Sequence, residues 1–241
     1  MNHGLYIGIP SHSGTFDYRM DGALLSARTR FNPCFVRVNV VSLLCFNFNQ
    51  MWAHALNLRA KGVTHFLLLH DDVVPVDGPR GENWATMLMD ELEANKLDVL
   101  SLVMPIKNES GKCSTCLEHP QAVPRFRGGD DPALVDLDVF AGGVTWLSNS
   151  CAERLLINTG CLLVDFRRPW VEEFAFQNHD RILRHGNTFD AATDPEDWTM
   201  SRWLHERGIA YGTTSKVRAF HVGRKSYPNQ PIDVPTALPV G

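Results

Sequence analysis

The sequence has no apolar run near the roughly 20 residues a membrane-spanning helix requires. Its first residues, Met1-Asn2-His3-Gly4, show no basic segment leading into an apolar one. A secretory leader is therefore not expected, and a cytoplasmic location is the default expectation. The chain also lacks a global basic field. Its formal net charge is −4 over 241 residues, so nothing long-ranged draws it to nucleic acid or to an anionic membrane. Dense cysteine spacing is missing as well. Six cysteines are scattered among long segments and read as mostly reduced thiols. No internal repeat is visible. What remains is an ordinary globular composition, 44% hydrophobic and 21% charged, enough for one sizeable α/β domain or two small ones.

The stretch around which the chain is organised is Thr64-His65-Phe66-Leu67-Leu68-Leu69-His70-Asp71-Asp72-Val73-Val74-Pro75. An apolar run of strand length stops at a cluster of metal-capable side chains. That is where an open α/β sheet binds ligands. Before it, Leu5 to Pro10 reads as a buried first strand, residues 17–28 as a helix, and Cys34 to Ser42 as a second strand. Residues 49–61 read as a second helix, with Asn49 as N-cap and Gly62 just past its end. After it, Trp84, Met87, Leu88 and Leu92 form one helical stripe, and Asp98 to Met104 a further strand. These alternations predict an open α/β sheet, mixed but mostly parallel, with ligands at its carboxyl edge. Residues 105–156, rich in glycine and proline, break the rhythm and read as a loop-rich insertion with short antiparallel pieces near 134–138 and 144–147. Leu156 to Phe166 reads as a strand interrupted at Thr159-Gly160, 170–176 as a short helix, 194–207 as a longer one, and Thr214 to His221 as the last strand. A proline-rich tail, 226–241, is expected to be extended and to fold over the site or stay mobile. The whole reads as a single domain over 1–225, with a first half over 1–104 and a second over 105–225.

Four groups could carry chemistry. If the strand runs through His70-Asp71-Asp72, His70 and Asp72 face one way and Asp71 the other. Such donors suit Mg²⁺ or Mn²⁺ together with a substrate's phosphates, and the imidazole tilts the choice toward Mn²⁺. The plain alternative is that both aspartates end a strand and cap a turn. In Thr193-Asp194-Pro195-Glu196-Asp197-Trp198, acidic residues at a helix start need no further role, since each stabilises the helix by ~0.3–1 kcal/mol. A carboxylate there, Asp197 above all, is also placed to act as a general base. His221, closing the last strand, is either a third ligand or a satisfied histidine. Cys113, Cys116 and His119 have the spacing of three zinc ligands, although two free thiols are the commoner outcome of such a pair.

Taken in order, Ile7-Gly8-Ile9-Pro10, Phe48-Asn49-Gln50-Met51-Trp52, Thr64 to Asp72, Asn158-Thr159-Gly160-Cys161, Glu196-Asp197-Trp198 and His221-Val222-Gly223 resemble glycosyltransferases of the GT-A fold, in the broad family-2-like group that includes small bacterial and phage forms. The resemblance covers most of the chain, is weakest over 105–156 and is absent in the tail. It implies a Rossmann-like catalytic domain whose nucleotide half is 1–104 and acceptor half 105–225. It implies Mn²⁺ or Mg²⁺ bound by Asp72 at the last position of an Asp-x-Asp motif, with His70 at the first position, where aspartate is usual. It assigns His221 to the metal, Glu196-Asp197 to the base of an inverting transfer, and Pro10, Ser11, His70, Asp71 and Asn49 to the nucleotide. The donor implied is a nucleotide sugar, with a UDP-sugar first. The acceptor hydroxyl is left open among a glycan, a lipid carrier, a protein and a hydroxymethylated DNA base. Arginines 125, 127, 167, 168, 181 and 184 offer a local stripe for DNA phosphates, or a solvated face. A non-catalytic nucleotide-sugar-binding protein is the second reading. A nucleotidyltransferase ranks below both, because the loop Pro10-Ser11-His12-Ser13-Gly14-Thr15 holds no arginine or lysine. The oligomeric state is not read from the sequence.

Overall fold

The computed structural model describes residues 3–108, 110–118, 134–223 and 226–229. The first half runs β1 (Leu5–Ser11), α1 (Arg19–Arg28), β2 (Cys34–Val40), α2 (Leu44–Asn57), β3 (His65–Leu69), β4 (Val73–Val76), α3 (Trp84–Ala94) and β5 (Val99–Leu102). The second half runs β6 (Lys112–Glu118), β7 (Leu134–Asp136), β8 (Thr145–Leu147), β9 (Arg154–Leu156) and β10 (Cys161–Asp165). A 3-10 turn at Pro169–Glu172 follows, then β11 (His179–His185), β12 (Thr188–Asp194), α4 (Glu196–Glu206), β13 (Tyr211–Thr214), β14 (Arg218–Val222) and β15 (Ser226–Pro228).

The central sheet has seven strands in the order β2-β1-β3-β10-β5-β13-β8. Its inner strands β1, β3, β10, β5 and β13 are buried on both faces, and side chains alternate between two cores. On β3, Leu67 and Leu69 enter the core under α1 and α3, whereas Phe66 and Leu68 enter the core under α2 and α4. On β10, Cys161 and Leu163 face the first core and Leu162 and Val164 the second. This period of two inside near-continuous apolar runs is what a doubly covered sheet demands. Trp52 anchors the second core, packing against Phe66, Phe166, Phe174 and Phe176 while its Nε1–H donates to Val171 O at 2.8 Å.

The sheet is α/β and mixed. The pairs β1–β2, β1–β3 and β5–β13 are parallel, whereas β10 runs antiparallel between β3 and β5, and β8 antiparallel to β13. Three smaller sheets flank it, ordered β15-β14-β4, β7-β6-β9 and β11-β12. The β11–β12 hairpin lies where the sequence suggested no strand, because its mostly exposed residues show no apolar face. The last strand, expected over Thr214 to His221, is two strands. β13 stays in the central sheet, and β14 leaves it to pair with β4. The beginning of the proline-rich segment is β15, paired with β14. Its later residues, where a lid was expected, lie outside the described residues.

Candidate functional site

β3 ends at Leu69, so His70, Asp71 and Asp72 form a turn and do not continue the strand. Strand alternation therefore does not set their directions. The turn is held by His70 N–H donating to Gly160 O at 2.9 Å, Val73 N–H to His70 O at 3.1 Å, and Val222 N–H to Asp72 O at 2.7 Å. The last of these explains how a residue from the far end of the chain arrives here. The β4–β14 register sets His221 opposite Val73, one residue from Asp72.

Asp72 is the hub. One oxygen, Oδ2, is paired with the Lys107 ammonium. The other, Oδ1, is buried without a hydrogen-bond partner and faces His221 Nε2 at 3.6 Å. The His221 Nδ1–H must be the donor to Pro105 O at 2.8 Å, because a carbonyl only accepts. In the neutral ring, Nε2 then turns a lone pair toward the carboxylate. A backbone carbonyl fixing one imidazole nitrogen so that the other faces a cation position is the usual support of a metal-ligating histidine. Burial disfavours the Asp72 carboxylate, yet the His221 ring and the Lys107 ammonium beside it outweigh that and hold the carboxyl below the usual carboxylate range. His70 Nε2 is likewise buried without a partner, and burial pushes this imidazole down to about 4, against the pull of Asp72. It is neutral at physiological pH, with its ring against Phe48. The donor set suits a divalent ion on Asp72 and His221.

Asp71 diverges from this cluster. Burial raises its carboxyl, and the nearby Ser11 hydroxyl partly offsets that. Ser11 is buried in the last position of β1, which runs through Pro10 where the sequence suggested a stop. Its Oγ donates to Thr15 O at 3.0 Å and accepts Gly14 N–H at 2.9 Å, so the expected nucleotide loop and Asp71 lie side by side.

Asn49 is not at a helix start. It lies inside α2, and its amide clamps Phe176 through two bonds, Nδ2–H to Phe176 O at 2.9 Å and Phe176 N–H to Oδ1 at 2.8 Å. Helix α2 begins five residues earlier than the sequence suggested, at Leu44 with Leu43 as cap.

The acidic pair opens α4 after Pro195 as N-cap. Asp194 instead belongs to a buried ion network in which Arg202 bridges it to Glu118, with Arg181 and Arg154 outside. Glu196 is the carboxylate tied to the turn: Thr159 Oγ1 donates to its Oε1 at 3.2 Å, and the next residue, Gly160, accepts from His70 N–H. Asp197 Oδ1 accepts the Trp198 N–H at 2.7 Å. Burial raises both carboxyls, Asp197 well above its ordinary range, with Glu196 adding to the effect. Sequence reasoning missed Thr159 and Lys107 as site residues. Thr159 lay inside a noted motif, whereas Lys107 sits in the turn after β5 with no pattern to mark it.

No family model matches the chain, and no curated protein matches it. A solved structure does. A197 from STIV, a viral protein, aligns over 91% of this chain and 86% of its own, with a TM-score of 0.52 and 11% identity. That likeness shows the α/β fold alone.

Other expected groups fare differently. Cys113 and Cys116 are buried in separate apolar clusters, one with Val103 and Phe140 and the other with Leu134, Leu156 and Trp198, so the pair does not converge on a zinc ion. His119 lies outside the described residues. Among those described, the one group of three ligand atoms all within 4.8 Å of each other is His3, His65 and Glu93, at the opposite end of β3. There the Arg167 guanidinium stands 3.5 Å from His65 Nε2 and 3.8 Å from Glu93 Oε1, an internal cation where a metal would compete. A cavity of about 350 Å³ lined by His3, Phe31 and Met89 adjoins it. Within the arginine stripe, Arg167 and Arg168 pair with Asp165, Arg168 also with Asp98, and Arg181 with Asp194, whereas Arg184 donates to Gly186 O. Residues 125 and 127 lie outside the described residues. No described helix is long and apolar enough to cross a membrane.

Proposed function

We propose that this chain is a metal-dependent glycosyltransferase that moves a sugar from a nucleotide-sugar donor to an acceptor hydroxyl with inversion. The observation that carries the reading is the meeting of Asp72 Oδ1 and His221 Nε2 at 3.6 Å, with the histidine aimed by Pro105 O. A carboxylate oxygen and an imidazole nitrogen placed this way can ligate one divalent ion. Asp72 and His221 would hold Mn²⁺ or Mg²⁺, with His70 beside them. When bound, the ion supplies charge neutralisation for a departing nucleoside diphosphate.

The remaining work falls to the chain itself. The loop after β1, with Ser11 beside Asp71, borders the same sheet edge and suits the nucleotide. The Glu196–Asp197 pair supplies the base. As the acceptor oxygen bonds to the anomeric carbon and the carbon–oxygen bond to phosphate breaks, the hydroxyl proton passes to a carboxylate. Burial raises both carboxyls, which makes the ionised form a stronger base than a solvated aspartate. Two coupled carboxyls at the head of α4 also leave room for one to stay protonated while the other accepts the proton.

The test is a thermal-shift panel of nucleotide sugars with and without Mn²⁺, followed by transfer assays on Asp72→Ala and Asp197→Ala. A ligand that binds the native state raises its melting temperature. One nucleotide sugar is expected to stabilise the protein only with the metal present, Asp72→Ala to abolish that stabilisation, and both variants to lose transfer. Full turnover in both variants would overturn the assignment. Donor binding with neither transfer nor donor hydrolysis would leave a nucleotide-sugar-binding protein.

A further inference from the structure

Lys107 occupies the carboxylate that the proposed function reserves for a cation. Its ammonium pairs with Asp72 Oδ2, and both side chains are about a third exposed. The carboxylate is thus divided, one oxygen on an ammonium and the other 3.6 Å from His221 Nε2. Lys107 lies in the turn between β5 and β6, whose base is closed by Ile106 N–H donating to Lys112 O at 2.9 Å and Asn108 N–H to Ile106 O at 2.8 Å. The backbone is therefore fixed, while four flexible methylenes carry the charge. The same turn contains Pro105, whose carbonyl aims His221. One short segment both orients the histidine and supplies the charge now on Asp72.

We propose that Lys107 is a resident counter-ion that Asp72 exchanges for a divalent metal, and that the released ammonium then binds the phosphates of a nucleoside diphosphate. The inference rests on the glycosyltransferase reading of this site. A lysine and a divalent ion within a few ångströms repel each other, and a single carboxylate cannot neutralise both. A diphosphate brings the missing negative charge. Metal alone is therefore opposed by Lys107, whereas metal together with diphosphate is favoured by it. Coupling between two ligands is reciprocal, so Lys107 makes each raise the affinity for the other. A lysine that only caps Asp72 would produce no such coupling.

Titration calorimetry on the full chain separates these cases. Mn²⁺ alone is titrated into wild type, Lys107→Ala and Lys107→Gln, and then UDP, GDP, CDP, ADP and dTDP are titrated at saturating Mn²⁺, with melting temperatures confirming that each variant is folded. Lys107→Ala and Lys107→Gln are expected to bind Mn²⁺ alone roughly ten-fold more tightly than wild type, and the preferred nucleoside diphosphate roughly ten-fold more weakly, the scale of one close charge contact. Unchanged or weaker Mn²⁺ binding in both variants, or unchanged nucleotide binding, would refute the exchange while leaving the functional reading intact. A wild type that binds no nucleoside diphosphate with Mn²⁺ would refute both.

Discussion

Asp197 carries an electrostatic cost that can be measured without any substrate. Burial, then the neighbouring Glu196 carboxylate, raises its carboxyl well above the ordinary value. The folded state therefore keeps this proton to higher pH than the unfolded chain does. The stabilisation is complete below the unfolded value of about 3.9 and is lost as pH rises through the raised folded value. The start of α4 favours the charge by only about 0.3–1 kcal/mol, too little to reverse that order. Asp197→Asn cannot ionise, so it is expected to melt higher than wild type at neutral pH, by about 2–4 °C for each kcal/mol regained, with the gain fading toward pH 4. Thermal melts at the two pH values decide it, and a lower neutral-pH melting temperature would show that the charge is stabilising. A higher neutral-pH melting temperature would match the cost that the proposed base role requires. At this scale the sequence was informative where residue type limits chemistry, as with Asp72 and His221. It was silent on Lys107, because a lone lysine in a turn is the commonest kind of surface residue and only the folded turn brings it onto a carboxylate.

Elements deliver these residues, and their packing sets how firmly. Helix α2 holds the second core through Trp52, whose ring centroid lies 4.6 Å from Phe166 and 5.1 Å from Phe66. Trp52→Ala removes this packing and the bond to Val171 O, so urea unfolding is expected to show a loss of about 3–5 kcal/mol. A loss under about 1 kcal/mol would mean that the core relaxes around the gap. The apolar spacing of Trp52 and Ala55 made α2 legible, but not its start. Asn49 resembles a cap by type, and the structure uses its amide on Phe176 instead. Propensity records that an asparagine can satisfy a backbone group, not which one. The β4–β14 pairing was equally hidden. Pro75 fits a short flanking sheet, and the pairing that sets His221 beside Asp72 joins residues about 150 apart in sequence.

Across the whole molecule, alternating strands and helices gave the α/β class, and the A197 likeness agrees with it. The direction of β10 could not be read, because a strand buried on both faces has the same apolar pattern whichever way it runs. Its reversed course has a functional consequence. The Asn158-Thr159-Gly160 segment, which leads into β10, crosses the carboxyl end of β3, binds His70 N–H and reaches Glu196. A wholly parallel sheet would carry that segment to the other edge. The molecule also offers two rival cation positions at opposite ends of β3: Asp72 with His221, and His3 with His65 and Glu93. Anomalous diffraction from crystals grown with Mn²⁺ and a nucleoside diphosphate distinguishes them. The account requires a manganese peak at a coordination distance of about 2.0–2.2 Å from both Asp72 and His221. A peak confined to His3, His65 and Glu93, or nucleotide bound with no metal on Asp72, would contradict it.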